Sequence, residues 1–168
     1  ILNEISEKFK NKIYNINFDL KNFDETEKTL NNFISKYEKN IDILINNAGT
    51  IHNSLLTMTP IKVVEDLYRV NVVSLIQITQ LVVKKMIKNK SGAIINISSS
   101  SAKENNFGRS IYSSTKIAVE SITKSLSKEL SRFNIRVNCI APGLIDTEML
   151  NDNTSEKSIE QTLKRISS

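Results

Sequence analysis

Short β-branched runs alternate with long amphipathic stretches along this chain, and that alternation constrains its fold more than any other feature. The runs lie at 13–18, 41–45, 93–97 and 135–140. Between them, apolar residues recur at helical spacing over 24–39, 60–89 and 111–133. Thr59 and Pro60 open the second of these as N-cap and first helical residue. Strand–helix alternation predicts an α/β protein, a parallel doubly wound sheet with helices on both faces. No repeat and no Gly-, Pro- or Ser-rich linker divides the 168 residues, so 1–168 reads as a single unit. In such sheets ligands sit beyond the carboxyl ends of the strands, which makes the residues just after each run the first candidates.

Composition removes several alternatives. No uninterrupted apolar run approaches the ~20 residues of a membrane span, so no membrane partner is expected. The start, Ile1-Leu2-Asn3-Glu4, lacks the blocks of a signal peptide and an initiator Met, and reads as the interior of a longer product. A lone Cys139 excludes an internal disulfide framework and points to a reducing, cytoplasmic setting. One histidine, His52, leaves little for a metal site or Ser/His catalysis, so no metal is expected. The net charge of +5 comes mostly from lysine and is spread along the chain, with 6% aromatics. Nucleic-acid surfaces favour clustered Arg and interleaved aromatics, so no nucleic-acid partner is expected.

The distinctive residues follow the strands. Asn46-Asn47-Ala48-Gly49 follows the second run, where two small residues admit a flat ligand close to the backbone; a plain strand-ending turn reads equally well. Ser98 to Ser101 follow the third. Thirteen residues beyond Ser99 stands Tyr112, and Lys116 is four further on. Residues i and i+4 share a helix face. An ammonium beside a phenol favours the phenolate, which would make Tyr112 a general acid/base at working pH. Taken alone, the spacing reads more readily as a solvated surface pair, and the Ser-ended strand before it sharpens the first reading. Asn71 interrupts an apolar helical stretch, where its amide either holds a water at a kink or faces solvent. Ala141-Pro142-Gly143 ends the fourth run and turns the chain. His52 reads as a loop residue, Cys139 as a small core residue, and Lys84, Lys85, Lys88 and Lys90 as the solvated, dipole-compensating end of a helix.

Read jointly, these motifs resemble the short-chain dehydrogenase/reductase family from about residue 13 to 150. The family's Asn-Asn-Ala-Gly falls on 46–49, its Asn–Ser–Tyr–Lys set on Asn71, Ser99, Tyr112 and Lys116, and its Pro-Gly…Thr segment on Pro142, Gly143 and Thr147. The text is nearest to 3-oxoacyl-(acyl-carrier-protein) reductases, except that Thr50-Ile51-His52-Asn53 departs from what usually follows Asn-Asn-Ala-Gly there.

The resemblance implies hydride transfer between a nicotinamide (NAD or NADP, the latter slightly favoured) and a carbonyl or alcohol carbon. Tyr112 would exchange the proton, Ser99 would bond the substrate oxygen, Lys116 would bind the nicotinamide ribose, and Asn71 would hold a water leading to Lys116. Asp19 and Leu20 would touch the adenine; Asn47, Ala48 and Gly49 would line the cofactor trough; Pro142, Gly143, Ile145 and Thr147 would meet the nicotinamide. A homodimer or homotetramer built on helices 60–89 and 111–133 is implied, as is an acidic carrier on Lys88, Lys90 and Arg132. A sugar, polyol or secondary-metabolite ketone is the other substrate class, and a truncated non-catalytic remnant the other kind of protein. The four glycines, at 49, 92, 108 and 143, form no Gly-rich phosphate turn. The first two strands and the last strand of the family sheet are therefore expected to be absent, and with them the residue that separates NAD from NADP.

Overall fold

Three of the four expected strands form, and the reason the fourth does not lies in hydrogen-bond pairing. The computed structural model describes residues 13–37, 40–104 and 106–145. Strands β1 (Ile43–Asn46), β2 (Gly92–Ile97) and β3 (Ile135–Ile140) make a parallel sheet in the order β1-β2-β3. Leu44 pairs with Ile94 and Ile94 with Val137; two residues further along, Asn46 pairs with Asn96 and Asn96 with Cys139. Residues 13–18 are extended in sequence character yet join no ladder. A strand needs a neighbour, and the family sheet puts its first two strands between this segment and β1. Among the described residues no such strand stands between 13–18 and β1, and the segment packs instead toward a helix, with Tyr14 edge-on to Phe33 at 6.1 Å.

Helix α1 (Phe23–Tyr37) begins behind Asn22, whose side-chain oxygen accepts from the Glu25 backbone at 3.1 Å, and carries Asp24 and Glu25 in its first turn. Helix α2 (Ile61–Tyr68) runs through a π-helical turn (Arg69–Val73) into α3 (Ser74–Asn89). Pro60 is its N-cap, one residue later than the sequence signal placed it, and the Thr59 hydroxyl donates back to the Leu55 carbonyl at 2.9 Å. The short α4 (Ser101–Glu104) and the long α5 (Ser110–Leu130) complete the set. The Arg69 guanidinium sits 3.8 Å over the Phe23 ring, and Gln77 donates to the Phe23 carbonyl at 2.8 Å, which fastens α1 onto the α2–α3 rod.

Within Ile61–Asn89 one 18-residue stretch is apolar enough, by length and composition, to cross a membrane, although polar residues interrupt it. Here that apolarity serves the core: Leu67, Val72, Leu75, Leu81, Val82 and Met86 are buried. Val82 and Met86 from α3 meet Leu130 from α5 over Ile94, Ile135 and Val137 of the sheet. Gly92 starts β2 under Met86, and a β-carbon there would stand 2.5 Å from the Met86 sulfur, so a larger residue would require the Met86 side chain to move. Both long helices pack on this one face. The opposite face, expected to carry helices as well, has none among the described residues, and Ile43, Ile45 and Ile140 stand 61%, 58% and 51% exposed.

Candidate active site

A polar row crosses the carboxyl ends of β1 and β2, and the site lies beyond it. The row begins inside the sheet. Asn46 Nδ2 donates to Thr79 Oγ1 at 3.1 Å and to Asn96 Oδ1 at 2.8 Å, and Asn96 Nδ2 donates to Thr123 Oγ1 at 2.9 Å. Asn96 is fully buried. Buried amides are tolerated only when paired, so this chain locks the carboxyl ends of β1 and β2 to α3 and α5. Sequence reading passed over Asn96 and Thr123; an Asn inside an otherwise Ile-rich strand was the available signal.

Beyond β2 the backbone keeps pairing with the segment after β3. The Ser98 amide donates to Ile140 O at 2.7 Å and the Ser100 amide to Pro142 O at 2.8 Å, which sets Pro142 against the loop bearing Ser99. Ser99 is half-buried, and its Oγ accepts from the Ser101 amide at 3.2 Å where α4 begins. Ser98, by contrast, is buried and anchors α5 through Lys116 O (3.1 Å) and Glu120 (3.2 Å).

Tyr112 and Lys116 lie one turn apart on α5, both buried, with the ammonium 5.8 Å from the phenol ring centroid. Lys116 Nζ donates to Ile97 O at 3.0 Å. Burial holds this ammonium below the ordinary lysine value of 10.5, with the Cys139 thiol pushing the other way. The unfolded chain keeps its lysine protonated up to that ordinary value, so across the window between the lowered native pKa and 10.5 the unfolded state binds more protons. Stability therefore rises with pH across that window, and the buried charge is a cost below it. Lys116→Met is expected to flatten the rise. Urea unfolding of both proteins at several pH values from neutral to 10.5 checks this; equal slopes for parent and variant would contradict it.

Asn71 is buried inside the π-helical turn. Its Oδ1 accepts from the Thr50 amide at 2.8 Å, while Nδ2 donates to Thr50 O at 2.9 Å and to Thr115 Oγ1 at 3.1 Å. Of the two readings open in the sequence, solvent exposure is excluded. Both amide hydrogens are spent inside the protein, so this side chain can meet a water only as an acceptor. The extra turn residue that admits the side chain is a π-bulge, a feature that recurs at functional sites. Gly49 lies beneath: a β-carbon there would stand 3.3 Å from Asn71 Oδ1 and 3.4 Å from Lys116 Nζ. Asn47 and Ala48 are exposed beside it.

The remaining candidates are less concentrated. Asp19 is exposed and Leu20 half-buried in the turn before α1, where Asp19 Oδ1 accepts from the Lys21 amide at 2.9 Å. Gly143 is open, with nothing within 4 Å of where a β-carbon would stand, and Ile145 is exposed. Thr147 lies outside the described residues. Lys88, Lys90 and Arg132 are exposed, but they precede β2 and β3, at the opposite end of the sheet from Ser99, Tyr112 and Lys116. That placement removes the reason for linking them to the site.

A nicotinamide ribose fits what is present. Lys116 keeps ammonium donors beyond its bond to Ile97, and Gly49 leaves the space a side chain would close. The diphosphate half has no matching cradle in these residues, since the four glycines lie apart.

Parallel strands, crossover helices and a polar cluster beyond the carboxyl ends define a Rossmann-type α/β protein. The family model for short chain dehydrogenases matches residues 1–158. The chain belongs to that family. It is 40% identical over 162 residues to the 3-oxoacyl-(acyl-carrier-protein) reductase FabG of Buchnera aphidicola, covering 96% of this chain and 65% of that one. It is 42% identical over 110 residues to carbonyl reductase family member 4 of Xenopus tropicalis, covering 66% of this chain and 47% of the relative. The structure matches a gluconate 5-dehydrogenase from Burkholderia cenocepacia, solved in complex with NADP and tartrate, with a TM-score of 0.76 and 30% identity over 80% of this chain and 52% of that one. The chain thus spans about two thirds or less of the length of these relatives.

Proposed function

We propose that this chain is the catalytic portion of a cytosolic NAD(P)-dependent carbonyl reductase, with a 3-oxoacyl group on a carrier protein as the best-supported substrate. The observation that carries the reading is a buried Lys116 one turn from Tyr112 on α5 and bonded to the Ile97 carbonyl at the end of β2, two residues before Ser99, with Asn71 clamped against the Gly49 loop. The nicotinamide, when bound, supplies the hydride to the carbonyl carbon or takes it back from the alcohol.

Tyr112 gives its phenolic proton to the carbonyl oxygen, and Ser99 Oγ hydrogen-bonds that oxygen as charge develops on it. Lys116 holds the ribose hydroxyls and keeps a positive charge beside the phenol. Asn71 accepts from a water on the path that returns a proton toward Lys116. Asn47, Ala48 and Gly49 line the trough, Asp19 and Leu20 meet the adenine, and Pro142, Gly143, Ile145 and Thr147 border the nicotinamide. NADP is favoured over NAD, in keeping with the NADP in the gluconate 5-dehydrogenase complex.

A homodimer or homotetramer through 61–89 and 110–130 is part of the reading, with a narrower basis than the sequence offered. Leu75, Val82 and Val119 are buried within the chain, whereas Val73 and Ile117 remain 38% and 48% exposed for a mate. Oxidation of NADPH or NADH by the intact protein with a 3-oxoacyl thioester or a sugar ketone, and reduction of NAD(P)+ with a polyol, test the reading. Turnover confined to the sugar or polyol would move the substrate class, and no turnover with any would favour a non-catalytic remnant.

A further inference from the structure

We infer that Thr115 is a positioning residue, the link that ties the Asn71 amide to the turn of α5 carrying Tyr112. The inference rests on the proposed reductase reading for its kinetic consequence, and on hydrogen-bond geometry for the link itself. Thr115 is fully buried. Its hydroxyl donates to the Tyr112 carbonyl at 2.7 Å and accepts from Asn71 Nδ2 at 3.1 Å. On the far side of Asn71, the amide is gripped twice by the Thr50 backbone. One continuous line of hydrogen bonds therefore runs from the residue after Gly49, through the π-helical turn, to the backbone of Tyr112. Lys116 follows Thr115 directly in sequence, so both ends of the Tyr–Lys pair hang on the same turn.

The hydroxyl is what makes this possible. A threonine that bonds back to the carbonyl three residues before it has spent its hydrogen and presents a lone pair outward. Asn71 Nδ2 has no other acceptor for its second hydrogen among its hydrogen bonds. Removing the hydroxyl leaves a buried donor unsatisfied, which frees the amide to turn and loosens its hold on Thr50.

Thr115→Val keeps the branched shape and removes the hydroxyl; Thr115→Ser keeps the hydroxyl and loses a methyl. Hydrogen exchange reads the link without any activity. In the Val variant the Thr50 amide is expected to exchange about tenfold faster or more, with β3 amides unchanged, while the Ser variant stays near the parent. In the intact enzyme the Val variant is expected to lose about tenfold in kcat with the cofactor KM within about twofold, and Ser to restore kcat. Should Thr115→Val fail to fold, Thr115→Cys carries the same expectations. Unchanged Thr50 exchange in the Val or Cys variant, or a Ser variant as impaired as Val, overturns the inference. A Tyr112→Phe enzyme that remains active would instead overturn the reductase reading and leave the exchange result standing.

Discussion

Tyr112→Phe is expected to lower kcat of the intact protein by about 10²–10⁴-fold, the usual cost of losing a general acid/base. The substitution deletes one oxygen from a buried ring on α5. The Lys116 bond to Ile97 and the Asn71 bonds to Thr50 and Thr115 do not involve that oxygen. Fold and cofactor affinity should therefore stay close to the parent, which separates this loss from one caused by misfolding. Steady-state kinetics beside thermal unfolding and a dinucleotide titration make the check. A Phe variant that keeps more than about a tenth of parental kcat would refute the role assigned to the phenol.

The second large effect concerns the 168 residues taken by themselves. They are expected to bind NADPH far more weakly than an intact dehydrogenase and to self-associate. The first half follows from the missing phosphate cradle: without a Gly-rich turn at a helix N-terminus, no set of oriented N–H groups meets the diphosphate. The second half follows from a sheet face and β1 edge that no element covers among the described residues, where Ile43, Ile45 and Ile140 stand more than half exposed. Each such half-exposed side chain forfeits roughly half of the 1.5–3 kcal/mol that full burial supplies, against a domain stability of about 5–15 kcal/mol. An unpaired parallel edge beside exposed isoleucines is a template for association. Calorimetric titration with NADPH and sedimentation of the isolated chain test both halves. Micromolar affinity together with a monomer would show that the missing neighbours contribute less than this.

Much of the site was legible because its cues are local. Tyr112 and Lys116 are one turn apart, so their spacing alone put them on one face of α5, and the structure has both buried there. Strand ends were readable because β-branched runs stop at small and polar residues, and Asn46, Ile97 and Ile140 are where β1, β2 and β3 end. The dimer-facing residues were harder. Helical periodicity locates a stripe but not its width, and Leu75, Val82 and Val119 belong to the chain's own core.

Strand–helix order was readable from periodicity, capping and spacing within a few turns of chain, and the family and candidate residues from the resemblance of ordered motifs. Long-range pairing settled the rest. Asn71 has partners 21 and 44 residues away, at Thr50 and Thr115, and no local pattern announces such a pairing. The Asn46–Asn96–Thr123 row exists only because parallel register sets Asn46 beside Asn96. Residues 13–18 have the composition of a strand and do not form one, because a strand is completed by its neighbour's hydrogen bonds, and no neighbour stands beside them among the described residues.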